Sequence, residues 1–108
     1  MKPGAQYAVV FVTAPNPKVA RKLIKTALEA RLVACGNLIA KIESHYWWQG
    51  KIESGAEALI LFKTTVKLLG RLEKLLLAEH PYQTPEIIAL PLTKGTSAYL
   101  EWIVQSVS

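Results

Sequence analysis

Cys35, His80, Tyr82, Glu86 and Lys63 are the side chains of this sequence whose chemistry could serve a ligand. Cys35 is the only cysteine, so no disulfide can form within the chain and one copy cannot build a multi-thiolate metal site. It follows the apolar run Leu32-Val33-Ala34, and its plain reading is a small core residue. As a ligand its soft sulfur would favour Cu(I), and together with an imidazole it would suit copper or zinc. No Cys-x-x-Cys or His-x-x-x-His spacing accompanies it, so a preformed high-affinity site within one chain is not expected. His80 stands beside Pro81 and Tyr82 at the foot of a helical stretch, where closing the helix is its ordinary role. The functional reading gathers His80, Tyr82 and Glu86 with Lys63 around a cleft at a subunit boundary. There an imidazole and a carboxylate could hold a divalent metal, and the lysine a small anion. His45 alternates with Tyr46 and faces solvent or a neighbour, where a ligand role is open to it but has no support in the sequence. No Ser-His-Asp set, Gly-rich phosphate loop or clustered carboxylate pair can be argued, so an enzyme is not expected.

The elements that must position these residues are legible from periodicity and punctuation. Tyr7 to Thr13 is an apolar, β-branched run without alternation, which reads as a central strand covered on both faces. Pro15-Asn16-Pro17 supplies a break, an N-cap and a first-turn proline. The helix that follows buries Val19, Ala20, Leu23, Ile24, Ala27, Leu28 and Leu32. Strand character returns at Val33 and runs to Trp48, with Ile42, Ser44, Tyr46 and Trp48 on one face and Glu43, His45 and Trp47 on the other. Gln49-Gly50 turns the chain, and Lys51 to Lys63 returns it as a long hairpin. Thr64 or Thr65 caps a second helix with the stripe Val66, Leu69, Leu72 and Leu76, ended by Pro81. Ile87 to Leu90 reads as a short buried strand closed by Pro91. Thr96 or Ser97 then opens a last helix with Leu100, Ile103, Val104 and Val107 inward and Glu101 in its first turn.

The order is β-α-β-β-α-β plus a C-terminal helix, a ferredoxin-like α/β (α+β) sandwich in a single domain over residues 1–108. The second and third strands are longer than the fourth, so the hairpin overhangs the sheet. Its tip carries Tyr46, Trp47, Trp48 and Ile52, more apolar area than a small monomer leaves in water. Overhanging strands invite pairing, and closed cyclic symmetry satisfies such contacts without a fibre, so a closed homo-oligomer is expected.

Composition narrows the partners. The hydrophobic fraction is 51% against 19% charged, far from disorder. The formal net charge is +5, yet the only basic cluster is Lys18, Arg21, Lys22 and Lys25, which at helical spacing is the solvated side of an amphipathic helix. Basic and aromatic residues do not alternate as on a nucleic-acid platform, so no nucleic acid is expected. No stretch approaches the ~18 apolar residues of a membrane span, and no signal-peptide core is evident. With a lone cysteine, a cytoplasmic setting fits best.

Five ordered motifs make the chain similar to a known family: T-A-P-N at Thr13 to Asn16, R-L-V-A-C-G-N-L-I at Arg31 to Ile39, Y-W-W-Q-G-K-I-E at Tyr46 to Glu53, H-P-Y-Q-T-P-E-I at His80 to Ile87, and Y-L-E-W at Tyr99 to Trp102. Together they resemble the CutA family of divalent-cation-tolerance proteins over residues 7 to 105. The resemblance implies a ferredoxin-like fold, a trimer with intersubunit β-pairing, and a link to copper and other divalent metals. It also implies an architectural likeness to trimeric PII signalling proteins, so a sensor of small anionic molecules at an intersubunit cleft is the alternative function.

Overall fold

A computed structural model describes all residues 1–108. The chain runs β1 (Lys2–Pro3), β2 (Tyr7–Ala14), α1 (Pro17–Glu29), β3 (Cys35–Trp48), β4 (Lys51–Thr65), a 3₁₀ turn (Val66–Leu68), α2 (Leu69–Glu79), β5 (Ile87–Pro91), β6 (Lys94–Gly95) and α3 (Ser97–Ser106). Four strands form one sheet in the order β3-β4-β2-β5, antiparallel throughout, which is the ferredoxin-like arrangement. The two-residue strands β1 and β6 pair separately and tie the N-terminus to the start of α3.

Local chemistry sets the boundaries. Asn16 is extended, and its side chain accepts from the Val19 amide at 2.9 Å, while Pro17 follows at the first helical position. Gln49 and Gly50 have φ of +50° and +78°. Positive φ at both central residues matches the right-handed twist of the flanking strands, as two-residue hairpins require. α2 stops at Glu79, with His80 extended before Pro81.

Helices α1 and α2 cover one sheet face. The main core lies there, with Val10, Val12, Leu23, Ile60, Phe62, Leu72 and Leu76 almost fully buried. A smaller cluster of Tyr7, Ala34, Leu100 and Ile103 seats α3. On the other face Val9, Phe11, Leu59 and Leu61 are only half covered, so the central strand is fully covered on one side alone. Beyond the Ala14–Ala58 pair, β3 and β4 have no partner but each other, and this overhang draws the molecule out to 44 Å against 26 and 23 Å in the other directions.

Several expectations need correction. Ile88 and Leu90 are half exposed, because β5 is an edge strand whose outer face nothing in one chain covers. Of the two threonines offered as a cap, Thr65 takes the N-cap position of the 3₁₀ turn, without a side-chain cap hydrogen bond, whereas Thr64 lies fully buried in β4 and its hydroxyl donates to the Leu32 carbonyl at 2.6 Å. Leu68, not Val66, fills the core ahead of α2, since the 3₁₀ turn shifts the register of the apolar stripe. Leu28 and Val104 face outward. α3 begins at Ser97, which leaves Glu101 exposed beyond its first turn, 3.9 Å from the half-buried Lys2 ammonium. No helix is long and apolar enough to cross a membrane.

Candidate functional site

The sheet register divides the five candidate residues into two groups. Cys35 pairs with Lys63 at one end of the open face, and Lys63 pairs in turn with Val9. Lys63 donates from Nζ to Asn37 Oδ1. Cys35 is half-buried, with its Sγ 3.9 Å from the same oxygen and 3.7 Å from the Tyr99 hydroxyl, which α3 brings across the sheet. Gly36 lets this corner close, since a Cβ there would sit 3.1 Å from both Ile24 and Phe62. Burial, with the neighbouring Cys35 thiol second, pushes the Tyr99 hydroxyl up to about 12, so it stays protonated and able to donate.

His80 belongs to the opposite end. Its Nε2 lies 2.7 Å from the Thr13 carbonyl, and its Nδ1 lies 3.1 Å from the Tyr82 amide. A carbonyl only accepts and an amide N–H only donates, so Nε2 carries the proton and Nδ1 accepts. Both nitrogens are therefore engaged, in a ring that is only 8% exposed. Thr13 pairs with Leu59, four residues along β4 from Lys63, which separates the two groups by roughly 13 Å at the ~3.3 Å rise of a strand. Within one chain the structure does not bring Lys63 to Tyr82 and Glu86, nor Cys35 to His80.

What gathers around the His80 end is a cleft of about 790 Å³ between the hairpin tip and the His80–Ile87 loop. Tyr46, Trp48, Glu57, Tyr82 and Glu86 are among its lining residues. The Tyr82 hydroxyl donates to Glu57 Oε2 at 3.0 Å, and its ring stacks at a tilt on His80, centroids 4.8 Å apart. Burial first, then the Glu57 carboxylate, pushes Tyr82 up to about 12. Glu86 is exposed on the cleft rim. Glu57, Asn37, Tyr99 and Thr13 are the participants that sequence reasoning missed. Their types are ordinary, and only the strand register and the α3 crossing bring them to the candidates.

No three His, Cys, Asp or Glu side chains converge on a point that could hold a metal ion. The half-buried Cys35 thiol offers one sulfur and belongs to no cluster of metal donors, whereas His80 has no lone pair to spare.

The comparisons with known proteins agree on one family. The profile of the CutA1 divalent ion tolerance protein matches residues 8–106. "Protein CutA 1, chloroplastic" from Oryza sativa subsp. japonica is 43% identical over 98 residues, covering 91% of this chain and 55% of the relative. The chain thus spans about half the length of that relative. "Divalent-cation tolerance protein CutA" from Thermus thermophilus is 42% identical over 95 residues, 88% of this chain and 92% of that protein. Among solved structures, the "Periplasmic divalent cation tolerance protein CutA" from Archaeoglobus fulgidus superposes with a TM-score of 0.92 at 34% identity, covering 94% of this chain and 99% of that one. Profile, relatives and backbone coincide over nearly every residue, and the chain belongs to the CutA1 divalent ion tolerance protein family.

Proposed function

We propose that this protein serves tolerance to divalent metal ions such as copper, as a homotrimer that binds metal without catalytic turnover. The observation that carries the reading is the family match across residues 8–106. The lone Cys35 thiol and the absence of a converged donor set favour open, exchangeable binding completed by water or by other copies over a closed structural site. Assembly is supported by apolar surface that one chain leaves bare, with Trp47 73% and Ile52 68% exposed on an unpartnered overhang. A cytoplasmic setting is our reading of the single free thiol.

The anion-sensing alternative is not favoured, because the family profile and the named relatives point to divalent-cation tolerance. The test is calorimetric titration of the purified protein with Cu(II), Cu(I) and Zn(II). Binding of at least one ion, tighter than to the denatured chain, is the expected result. Equal affinity for folded and denatured protein with all three ions would remove the binding reading.

A further inference from the structure

On the hairpin overhang, Glu43 and His45 stand two residues apart on one strand, and strand alternation puts both side chains on the same face. His45 Nε2 lies 2.7 Å from Glu43 Oε2, and both side chains are largely exposed, 61% and 80%. Directly across on β4 are Ser54, opposite His45, and Ala56, opposite Glu43. Both are small and uncharged, so within one chain no lysine or arginine directly opposite competes for the carboxylate.

The pair keeps an imidazole nitrogen and a carboxylate oxygen within hydrogen-bond distance on the solvent side of one strand. To take an ion, the proton shared between them leaves to solvent and both exposed side chains rotate so that their lone pairs converge on one point at bonds of about 2.0–2.1 Å. Two donors so placed fill adjacent positions of a square-planar or tetragonal ion and leave the others to water. Imidazole with carboxylate is a donor set for Cu(II), which also heads the affinity order of the divalent first-row ions. The other histidine, His80, has both nitrogens engaged.

We propose that Glu43 and His45 form a Cu(II) site on the hairpin, bound through His45 Nε2 and a Glu43 carboxylate oxygen, with water in the remaining positions. This deepens the metal-binding reading above and rests on it. It also gives divalent copper a place separate from Cys35, whose soft sulfur suits Cu(I).

The experiment is Cu(II) and Zn(II) titration, with electron paramagnetic resonance of the copper-loaded protein, in a Cys35→Ser background where no thiol can reduce or hold the ion. Cys35→Ser should bind Cu(II) more tightly than Zn(II), with an axial spectrum showing coupling to one imidazole nitrogen. Adding His45→Ala should abolish that coupling and weaken Cu(II) at least tenfold. Adding Glu43→Gln should weaken binding while keeping the nitrogen signal. These residues lie on an exposed overhang outside both hydrophobic clusters, so the variants fold. An unchanged affinity and nitrogen signal in the His45→Ala protein would overturn this site while leaving metal binding in place. So would tighter Zn(II) than Cu(II), or copper binding that vanishes with Cys35 alone. Only the failure of wild-type protein to bind any of the ions would remove the broader reading as well.

Discussion

Both ring nitrogens of His80 are committed to backbone groups, one on β2 and one in its own loop. The histidine thus fastens the His80–Ile87 loop to the sheet, and replacing it leaves the Thr13 carbonyl and the Tyr82 amide short of a partner. His80→Ala should cost about 2 kcal/mol in urea unfolding at matched protein concentration, the usual range for orphaned buried polar groups. A loss near zero would show that water substitutes freely for the ring. The two raised tyrosines make a second prediction. Tyr82 and Tyr99 move from 10.0 to about 12, so above pH 10 the unfolded chain gives up these protons first. Their contribution to stability is complete below pH 10 and lost as pH climbs through 12. Tyrosinate absorbance should show two late-titrating groups, with one removed by Tyr82→Phe and the other by Tyr99→Phe. The identities of the candidate residues were legible in the sequence, but their partners were not. Nothing local to Lys63 predicts Asn37, because their meeting depends on the register between β3 and β4.

The elements were legible wherever one residue type has one structural use. Asn16 caps, Pro81 stops a helix, and Gly50 tolerates its positive φ. Gly50→Ala should therefore destabilise the hairpin by about 1 kcal/mol, although open space surrounds the position, because the strain lies in the backbone itself. Chemical denaturation against wild type checks this, and an equal midpoint would mean that the turn relaxes to another type. Between Thr64 and Thr65 the sequence leaves the cap open because threonine serves both caps and strands; Thr65 takes the N-cap position, and a carbonyl thirty-two residues away claims Thr64. Ile87 to Leu90 was misread as buried for a more instructive reason. An apolar run reports that burial is favourable, not that the same chain provides it.

Taken together, the exposed Ile88 and Leu90, the bare overhang and the two free sheet edges are apolar surface and unpaired strand that one chain does not cover, and they support the homotrimer proposed above. Sedimentation of the wild-type protein should give a species three times the 11.9 kDa chain mass at micromolar concentration. A Leu90→Lys change, which puts a charge on the open edge strand, should shift that species toward smaller ones with the fold retained in circular dichroism. Wild-type protein that sediments as one folded chain would remove the assembly and leave the aromatic tip unexplained.

The irregularity in β3 has a consequence for everything beyond it. Between the Ile39–Leu59 and Ile42–Glu57 pairs, β3 spends two residues where β4 spends one. That single surplus residue exchanges inside for outside along the rest of the ribbon. Tyr46 and Trp48 are thereby aimed the same way as Glu57, and Glu43 and His45 the opposite way. Deleting Ala40 or Lys41 would alter neither the aromatics nor the chelating pair in kind, yet it would swap their sides. What the tip of this protein can touch is decided less by which residues it carries than by a count of how many come before them.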